Sequence, residues 1–386
     1  MCFAVKCYAE HVVYRVVMTI KRSVALLSAI GMLFFPVMGK ATETESPTIT
    51  SETAIVIDAK SGDVIYDKQA EQHMFPASMT KILTAIIAIE YGEWTDSVEI
   101  SEAATEAVGT TVFLMEGEDI ELGQLIKGLL INSGNDAGVA IAEHLAGSEE
   151  AFQRVMNEYL TERIGVENTH FTNAHGLFDE DHYTTAEDMA IITQYAMNND
   201  AFRELAAIEE FDWESESWET TIYNHHQLVR DHDEVIGVKN GFVSQSGFTL
   251  ATMAEIEDDE YIVVTMNALT ANDSYEDTRA LLRYAGQNYE TQILEEGDFF
   301  EGDDGKEYEV VQGAYYTVAR GEEVSHEVDE GQLVIRDADD DVLVRQTLRP
   351  TLDSFQVQAA SETVTEEEDQ QFSFVQWVQD LIGRWF

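Results

Sequence analysis

Ser78 and Lys81 are the residues whose types and spacing most directly suggest chemistry. They stand at the start of an apolar segment, Met79–Tyr91, that predicts a buried helix. A separation of three residues places both side chains on one helix face, so the lysine amine can reach the serine hydroxyl. A desolvated lysine can act as a general base toward serine, and backbone N–H groups at a helix start can stabilise an oxyanion. Many helices carry such a pair by chance, so further residues are needed.

Two later segments supply those residues. Ser133 and Asn135 lie between two predicted helices, where a hydroxyl can relay a proton and a carboxamide can hold a substrate amide. Lys239, Asn240 and Gly241 lie on a predicted strand, where a cation and a glycine allow close approach of a peptide-like substrate. These helix, loop and strand motifs in this order are far more specific than any one of them.

With these motifs the sequence resembles the serine D-alanyl-D-alanine carboxypeptidases, which are low-molecular-mass penicillin-binding proteins. Residues 131–152 and 168–190 resemble that family throughout. The resemblance implies an α+β fold with a serine β-lactamase/penicillin-binding-protein-like catalytic domain, in which helices flank an antiparallel sheet. It further implies a small all-β domain and a C-terminal amphipathic helix. The implied activity removes the terminal D-alanine from peptidoglycan pentapeptides through an acyl-enzyme and is blocked by acylation with penicillins and other β-lactams; no cofactor is implied.

The family's roles are carried over by motif. Ser78 would be the acylated nucleophile, Lys81 its general base, and Ser133 the relay of a proton toward the leaving amine. Lys239 would orient Ser133 and attract the substrate carboxylate, and the N–H groups of Ser78 and Phe242 would form the oxyanion hole. The implied substrate-binding residues are Asn135, Lys239, Asn240, Gly241 and Phe242.

Asn240 departs from the family, whose third motif normally reads Lys-Thr-Gly with a hydroxyl that helps hold the terminal carboxylate. An asparagine amide can donate a hydrogen bond but is longer and differently aimed. The residues therefore specify acylation better than they specify release of the last residue. The alternatives are a serine β-lactamase, a D,D-endopeptidase on the same scaffold, and a non-catalytic wall-binding protein. The intact motif residues argue against the last of these.

The elements around the motifs predict one antiparallel sheet, because β-prone segments occur at both ends of the region with helices between them. The predicted strands are Thr53–Asp58, Val64–Lys68, Val235–Val238, Phe248–Ala254 and Tyr261–Asn267. The predicted helices are Met79–Tyr91, Leu122–Leu130, Asp136–Ala146, Glu149–Ile164, one capped by Thr185, and Tyr275–Ala285.

The remaining segments predict export and attachment to a membrane. A basic pair, a short apolar run and small residues before position 42 predict a secretory signal peptide over 1–41, although Met18 is a second candidate start. We expect a catalytic domain at 42–290, a small β-rich domain at 291–358 and an acidic linker at 359–371. Apolar residues on one helix face in 372–386 predict an amphipathic membrane anchor, which would hold the protein at the outer face of the cytoplasmic membrane.

Charge and cysteine content exclude several classes of protein. The 386 residues contain 74 Asp and Glu against 22 Lys and Arg, a net charge of −52, which argues against nucleic acid as a partner. We expect a protein that works in brine or alkali, where salt screens this self-repulsion; its melting temperature should rise from low to molar salt. Cys2 and Cys7 are the only cysteines, so the body of the chain has no disulfide framework and no cysteine nucleophile.

Histidines in one loop raise the question of a metal site. His170, His175 and His182 lie near Asp179 and Asp181. Their spacing fits no standard ligand pattern, so no metal is predicted. Three further histidines are expected in loops or at the surface: His225, His226 and His232.

Overall fold

The structure, a computed structural model, describes residues 46–216 and 218–351. The predicted signal peptide, the acidic linker and the amphipathic C-terminal helix lie outside these residues. Among the described residues, no helix combines the length and the apolar character that a membrane crossing requires.

The helices and strands up to Ala206 surround the first two predicted motifs. A 3₁₀ turn, Ala77–Thr80, precedes the first helix, and a π-helical turn, Leu160–Ile164, follows the fifth. The elements in chain order are β1 Thr53–Asp58, β2 Val64–Lys68, α1 Lys81–Tyr91, β3 Ser97–Glu99, α2 Glu102–Thr105, β4 Asp119–Glu121, α3 Leu122–Ile131, α4 Asn135–Ala146, α5 Glu149–Tyr159, α6 Ala186–Met197 and α7 Asp200–Ala206.

The second half contains the third motif and the β-rich region. Its elements up to Asn288 are β5 Glu210–Glu214, β6 Glu219–Tyr223, α8 Gln227–Asp231, β7 Val235–Val243, β8 Gly247–Ile256, β9 Asp259–Ala268 and α9 Ala271–Asn288. The strands that follow are β10 Tyr289–Leu294, β11 Phe299–Glu301, β12 Glu307–Glu309, β13 Ala314–Ala319, β14 Ser325–Asp329, β15 Gln332–Arg336, β16 Val342–Thr347 and β17 Arg349–Pro350.

An antiparallel five-stranded sheet in the order β2-β1-β9-β8-β7 forms the centre of the larger region. The prediction of one antiparallel sheet built from strands at both ends of the region is therefore confirmed. All six residues of β1 are buried. Ile55 and Ile57 face the large core formed with the helices, whereas Ala54 and Val56 face a smaller core beneath α9. Alternation of side chains along the strand explains how one strand serves both cores.

The predicted buried helix is confirmed as α1, which begins at Lys81 rather than at Met79. Its first eight residues are all buried, so its polar groups need partners inside the protein. Thr84 meets this need by donating its hydroxyl hydrogen to the carbonyl oxygen of Ala174 at 2.7 Å. The preceding turn is 3₁₀-helical, and Ala77 has a positive φ of 49°. This local geometry turns the chain sharply where the predicted nucleophile lies.

The region after α9 is built from short strands, as predicted, and has an apolar core of its own. The region contacts the turn of the first hairpin. Asp63 accepts a hydrogen bond from the backbone N–H of Thr317 at 2.8 Å, and Arg320 pairs with Asp259 at 3.0 Å.

Candidate active site

The main chain around Ser78 is fixed from two sides. The hydroxyl of Thr80 donates to the carbonyl oxygen of Ala77 at 2.9 Å, which closes the 3₁₀ turn. The hydroxyl of Thr249, on β8, donates to the carbonyl oxygen of Pro76 at 3.0 Å. The turn that carries the predicted nucleophile is therefore closed by a bond of its own and is also bonded to the sheet.

Lys81 is fully buried, and its amine lies at the centre of the hydrogen bonds in this site. Its Nζ is 2.9 Å from Ser78 Oγ, 2.7 Å from Asn135 Oδ1 and 2.6 Å from the carbonyl oxygen of His175. Burial lowers the pKa of Lys81 well below its usual range, and the nearby charge of Lys239 lowers it further. The structure thus brings the predicted serine and lysine together and favours the neutral amine that a general base requires.

Ser133 and Asn135 lie at the junction of α3 and α4. Ser133 is buried with a positive φ of 62°, and its hydroxyl makes no hydrogen bond to any residue that the structure describes. Both polar side-chain atoms of Asn135 have partners, because its Nδ2 donates to the carbonyl oxygen of Val108 at 2.7 Å while its Oδ1 accepts from Lys81. The amide group predicted to bind substrate therefore also positions the lysine.

Asp136, the residue after Asn135, attaches the neighbouring loop to α4. Its carboxylate accepts hydrogen bonds from the backbone N–H groups of Val112, at 3.0 Å, and Leu114, at 3.2 Å. Burial raises the pKa of Asp136, while these N–H groups lower it. Trp218 adds a bond from its indole N–H to the carbonyl oxygen of Val112 at 2.7 Å. The loop is thus connected to both α4 and the turn of the β5–β6 hairpin.

Lys239 lies on β7, at the edge of the sheet, and is also fully buried. Its Nζ donates to the carbonyl oxygen of Asn240 at 3.0 Å and to the side-chain Oδ1 of Asn240 at 3.3 Å. It makes no hydrogen bond to Ser133, so the expected orientation of Ser133 by Lys239 is not seen. The asparagine carbonyl supplies the acceptor instead. Burial lowers the pKa of Lys239 to about 7.

Gly241 explains how β7 comes alongside the nucleophile. A Cβ atom at this position would lie 2.7 Å from the backbone nitrogen of Ser78 and 3.0 Å from Ala77 Cβ. Only glycine allows the strand to approach this closely. Phe242 follows, with its half-exposed ring packed on that of Phe248 at 4.5 Å between centroids. The main chain of β7 at Gly241 therefore lies next to the backbone N–H group of Ser78.

The three histidines of the 168–184 loop do not converge on a common point. His182 Nε2 lies 2.8 Å from the hydroxyl of Thr80, His175 Nε2 lies 3.2 Å from Glu149, and His170 Nδ1 lies 2.7 Å from the carbonyl oxygen of Asp181. Burial lowers the pKa of His182 to about 3. No cluster of three or more His, Cys, Asp or Glu side chains within the described ranges could hold a metal ion.

His226 lies in the loop before α8, one of the two positions expected for it, but not at the surface. It is fully buried, and its Nε2 lies 2.8 Å from the hydroxyl of Thr252 on β8. Burial lowers the pKa of His226 to about 3. His225 is exposed, as predicted.

Sequence reasoning missed groups of this site that belong to the main chain. The carbonyl oxygen of His175 contacts Lys81, and that of Val108 contacts Asn135. Gly176 was also missed, although a Cβ there would lie only 1.8 Å from the carbonyl oxygen of Ala77. Its positive φ of 89° is a conformation that favours glycine. The sequence signal that could have identified it was a glycine directly after His175, within the histidine loop.

The fold is an antiparallel sheet flanked by helices. It places a Ser–Lys pair at a helix start and a Lys-x-Gly segment on the adjacent edge strand. Together these features define the class of serine penicillin-binding-protein-type enzymes. The family model for D-alanyl-D-alanine carboxypeptidase matches residues 40–270. The chain belongs to this family.

Individual relatives agree with this assignment. D-alanyl-D-alanine carboxypeptidase DacF of Bacillus subtilis is 33% identical over 250 residues, which cover 63% of this chain and 64% of the relative. D-alanyl-D-alanine carboxypeptidase DacA of Escherichia coli K12 is 31% identical over 296 residues, 71% of this chain and 72% of the relative. Penicillin binding protein 5 of Haemophilus influenzae superposes with a TM-score of 0.71 at 27% identity, covering 79% of this chain and 97% of that structure.

Proposed function

We propose that the protein is a serine-type D-Ala-D-Ala carboxypeptidase that releases the terminal D-alanine of peptidoglycan pentapeptides through an acyl-enzyme on Ser78. The observation that carries the proposal is the setting of the Lys81 amine. Asn135 Oδ1 and the carbonyl oxygen of His175 are acceptors only, and each lies within 2.7 Å of Nζ. A neutral amine has two N–H groups for these acceptors, so its lone pair is left facing Ser78 Oγ at 2.9 Å.

Acylation follows from this geometry. Lys81 takes the hydroxyl proton of Ser78 as Oγ attacks the carbonyl carbon of the penultimate D-alanine. The N–H groups of Ser78 and Phe242 receive the developing oxyanion, and Gly241 keeps β7 close enough to Ser78 for both to act together. The C–N bond then breaks as the terminal D-alanine leaves with a proton on its amine.

Ser133 is the proposed relay of that proton, because its buried hydroxyl makes no hydrogen bond to any described residue and is free to contact the leaving amine. Lys239 is the proposed partner of the substrate's terminal carboxylate, assisted by Asn240, Gly241 and the edge of β7. Water then attacks the ester carbonyl, again with Lys81 as base, and Ser78 is regenerated. Penicillins would acylate the same serine.

The experiment measures D-alanine release from a pentapeptide that ends in D-Ala-D-Ala, with the chain from residue 42 onward in molar salt and Ser78→Ala as the control. We expect the wild type to release D-alanine and Ser78→Ala to release none. No release by the wild type, together with cleavage of a crosslinked peptide or rapid turnover of a penicillin, would replace this proposal with a D,D-endopeptidase or a β-lactamase. No reaction of either kind would favour a wall-binding protein.

We also propose the placement of the enzyme. Residues 1–41 would direct secretion, 42–290 would form the catalytic domain, and 291–358 a β-rich domain. Residues 372–386 would attach the protein to the outer face of the cytoplasmic membrane through apolar burial, with 359–371 as a linker. Flotation with lipid vesicles should be seen with residues 42–386 and be lost with residues 42–365; equal flotation of both would contradict the anchor.

A further inference from the structure

The carbonyl oxygen of His175 takes one of the hydrogen bonds that aim the Lys81 amine, at 2.6 Å. It belongs to a loop rather than to a helix or strand, so its position is not fixed by a regular hydrogen-bond ladder. The displacement of a catalytic group by about 1 Å can reduce a rate about 100-fold. The contacts that fix this loop should therefore affect the rate of acylation.

Glu149, in the first turn of α5, is bonded to this loop at two places. Its Oε1 lies 3.2 Å from Nε2 of His175, and the same oxygen accepts the backbone N–H of Ala174 at 3.2 Å. Nδ1 of His175 accepts from the backbone N–H of Leu177 at 3.2 Å. Because Nδ1 is an acceptor, the imidazole carries its proton on Nε2 and donates it to the carboxylate.

The carboxylate is suited to this role. Burial raises the pKa of Glu149, but the hydrogen bond and charge of His175 and the N–H of Ala174 outweigh burial and leave the pKa below its usual value. Glu149 is therefore an anionic acceptor throughout the neutral range. On the opposite side of the loop, Thr84 of α1 donates to the carbonyl oxygen of Ala174 at 2.7 Å. The segment before His175 is thus held between α5 and α1.

We propose that Glu149 is a positioning residue for acylation: through the imidazole of His175 and the N–H of Ala174, it fixes the His175 carbonyl where that oxygen receives an N–H of the Lys81 amine. This inference rests on the proposed function and deepens it. Glu149 has no bond to Ser78, Lys81 or any other residue assigned to the substrate, so it acts on the rate of the chemical step rather than on substrate affinity.

The chain offers a matched control. Glu150 is the next residue, lies in the same first turn of α5 and is exposed. Glu150→Ala removes the same charge from the same helix start but no contact with the loop. Glu149→Gln keeps an oxygen that can accept from His175 and Ala174, whereas Glu149→Ala removes it. His175→Phe keeps the main-chain carbonyl and a planar, somewhat larger ring, but lacks both the Nε2–H donor and the Nδ1 acceptor of the Leu177 N–H. It serves as a second test should Glu149→Ala fail to fold.

The experiment uses the chain from residue 42 onward and measures kcat and KM for D-alanine release, together with the second-order rate at which a fluorescent penicillin acylates Ser78. All rates are taken below the melting temperature of each variant. We expect Glu149→Ala and His175→Phe to lower kcat and the acylation rate by about 10- to 100-fold with KM within about twofold. Glu149→Gln should stay within about threefold of the wild type, and Glu150→Ala should match it.

Two results would overturn the inference. One is a loss in Glu149→Ala no larger than that in Glu150→Ala, and the other is a Glu149→Gln variant as slow as Glu149→Ala, since charge rather than the hydrogen bond would then act. A wild type that is acylated by penicillin but releases no D-alanine would contradict the proposed function, yet the acylation rates would still test the role of Glu149. The two failures are therefore distinguishable.

Discussion

The candidate active site has a helix side, around α1, and a strand side, on β7, and the two hold their buried lysines in different ways. On the helix side, Lys81 has three polar neighbours within 2.9 Å, drawn from the 3₁₀ turn before its helix, from α4 and from the 168–184 loop. On the strand side, the one described residue to which Lys239 donates hydrogen bonds is Asn240, the next residue in its own strand. Neither lysine forms an ion pair with a carboxylate among the described residues, in a chain with 74 acidic residues.

Under the proposed function, the helix side is organised before substrate binds, whereas the substrate would complete the strand side. Asp136, the carboxylate whose charge raises the pKa of Lys81, is already engaged by backbone N–H groups. A buried cation without a counter-ion is costly. A carboxylate arriving on a ligand would relieve that cost at Lys239, and this matches the proposed recognition of a terminal D-alanine.

The largest effect is expected from a substitution at Gly176, on the helix side of the site. A methyl group added there would lie 1.8 Å from the carbonyl oxygen of Ala77, and no side-chain rotation could relieve the clash, because that oxygen belongs to the main chain and the methyl carbon is bonded directly to Cα. We expect Gly176→Ala to lower the rate of penicillin acylation by about 100-fold or more, because it displaces the turn that carries Ser78.

Gly165→Ala is the control for Gly176→Ala. Its φ of 90° is nearly the same, but a Cβ there meets nothing within 4 Å. It should cost about 1–2 kcal/mol of stability and leave the acylation rate unchanged. Equal acylation rates in the two variants would show that the close approach at Gly176 is unimportant.

A smaller effect is expected from Lys239→Met on the strand side. Loss of the charge-assisted contact with the substrate carboxylate should raise KM for D-alanine release by about 10- to 100-fold. A change in kcat with KM unchanged would show that the cation acts on the chemical step and not on binding.

The same variant also tests the pKa of Lys239. In the folded protein it is lowered to about 7, below that of an unfolded lysine, so the unfolded chain binds more protons above pH 7. The free energy of unfolding should consequently rise as the pH increases from about 7 toward about 10. Lys81 contributes in the same direction. Urea unfolding at pH 7 and 9.5 should show a shallower rise in Lys239→Met than in the wild type; parallel slopes would contradict the lowered pKa.

The smallest effect is expected from Asn240→Thr. It restores the family's hydroxyl but removes the Oδ1 that Lys239 contacts at 3.3 Å. We expect kcat/KM for D-alanine release to stay within about threefold of the wild type or to rise, because the longer bond of the two is lost and a carboxylate donor is gained. A loss of tenfold or more would show that the asparagine is fitted to its own geometry.

The sequence allowed the side-chain half of the site to be predicted, since Ser78, Lys81 and Asn135 stand in recognisable motifs and the structure brings them within hydrogen-bond distance. The sheet was predictable because alternating or wholly apolar segments bounded by turn residues are local signals. Strands β1 and β2 were predicted with the bounds observed.

The other half of the site was not predictable because it consists of main-chain atoms and of contacts between distant segments. A carbonyl oxygen such as that of His175 has no residue type to recognise. The histidine loop suggested metal ligands by composition, but the direction of each imidazole is set by tertiary partners such as Glu149 and Thr80. The β5–β6 hairpin was also missed, since its acidic residues obscure the alternation of apolar positions.

The pairing of β1 with β9 has a consequence for folding during synthesis. Thr53 lies opposite Met266, and Asp58 lies opposite Tyr261, so the earliest strand finds one of its two neighbours only after nearly the whole catalytic region has been synthesised. Such distant pairing is slow to form. During synthesis the first hairpin therefore remains an isolated pair of strands, which is not stable alone. The central sheet of this chain therefore cannot close until residue 268, the last residue of β9, has been synthesised.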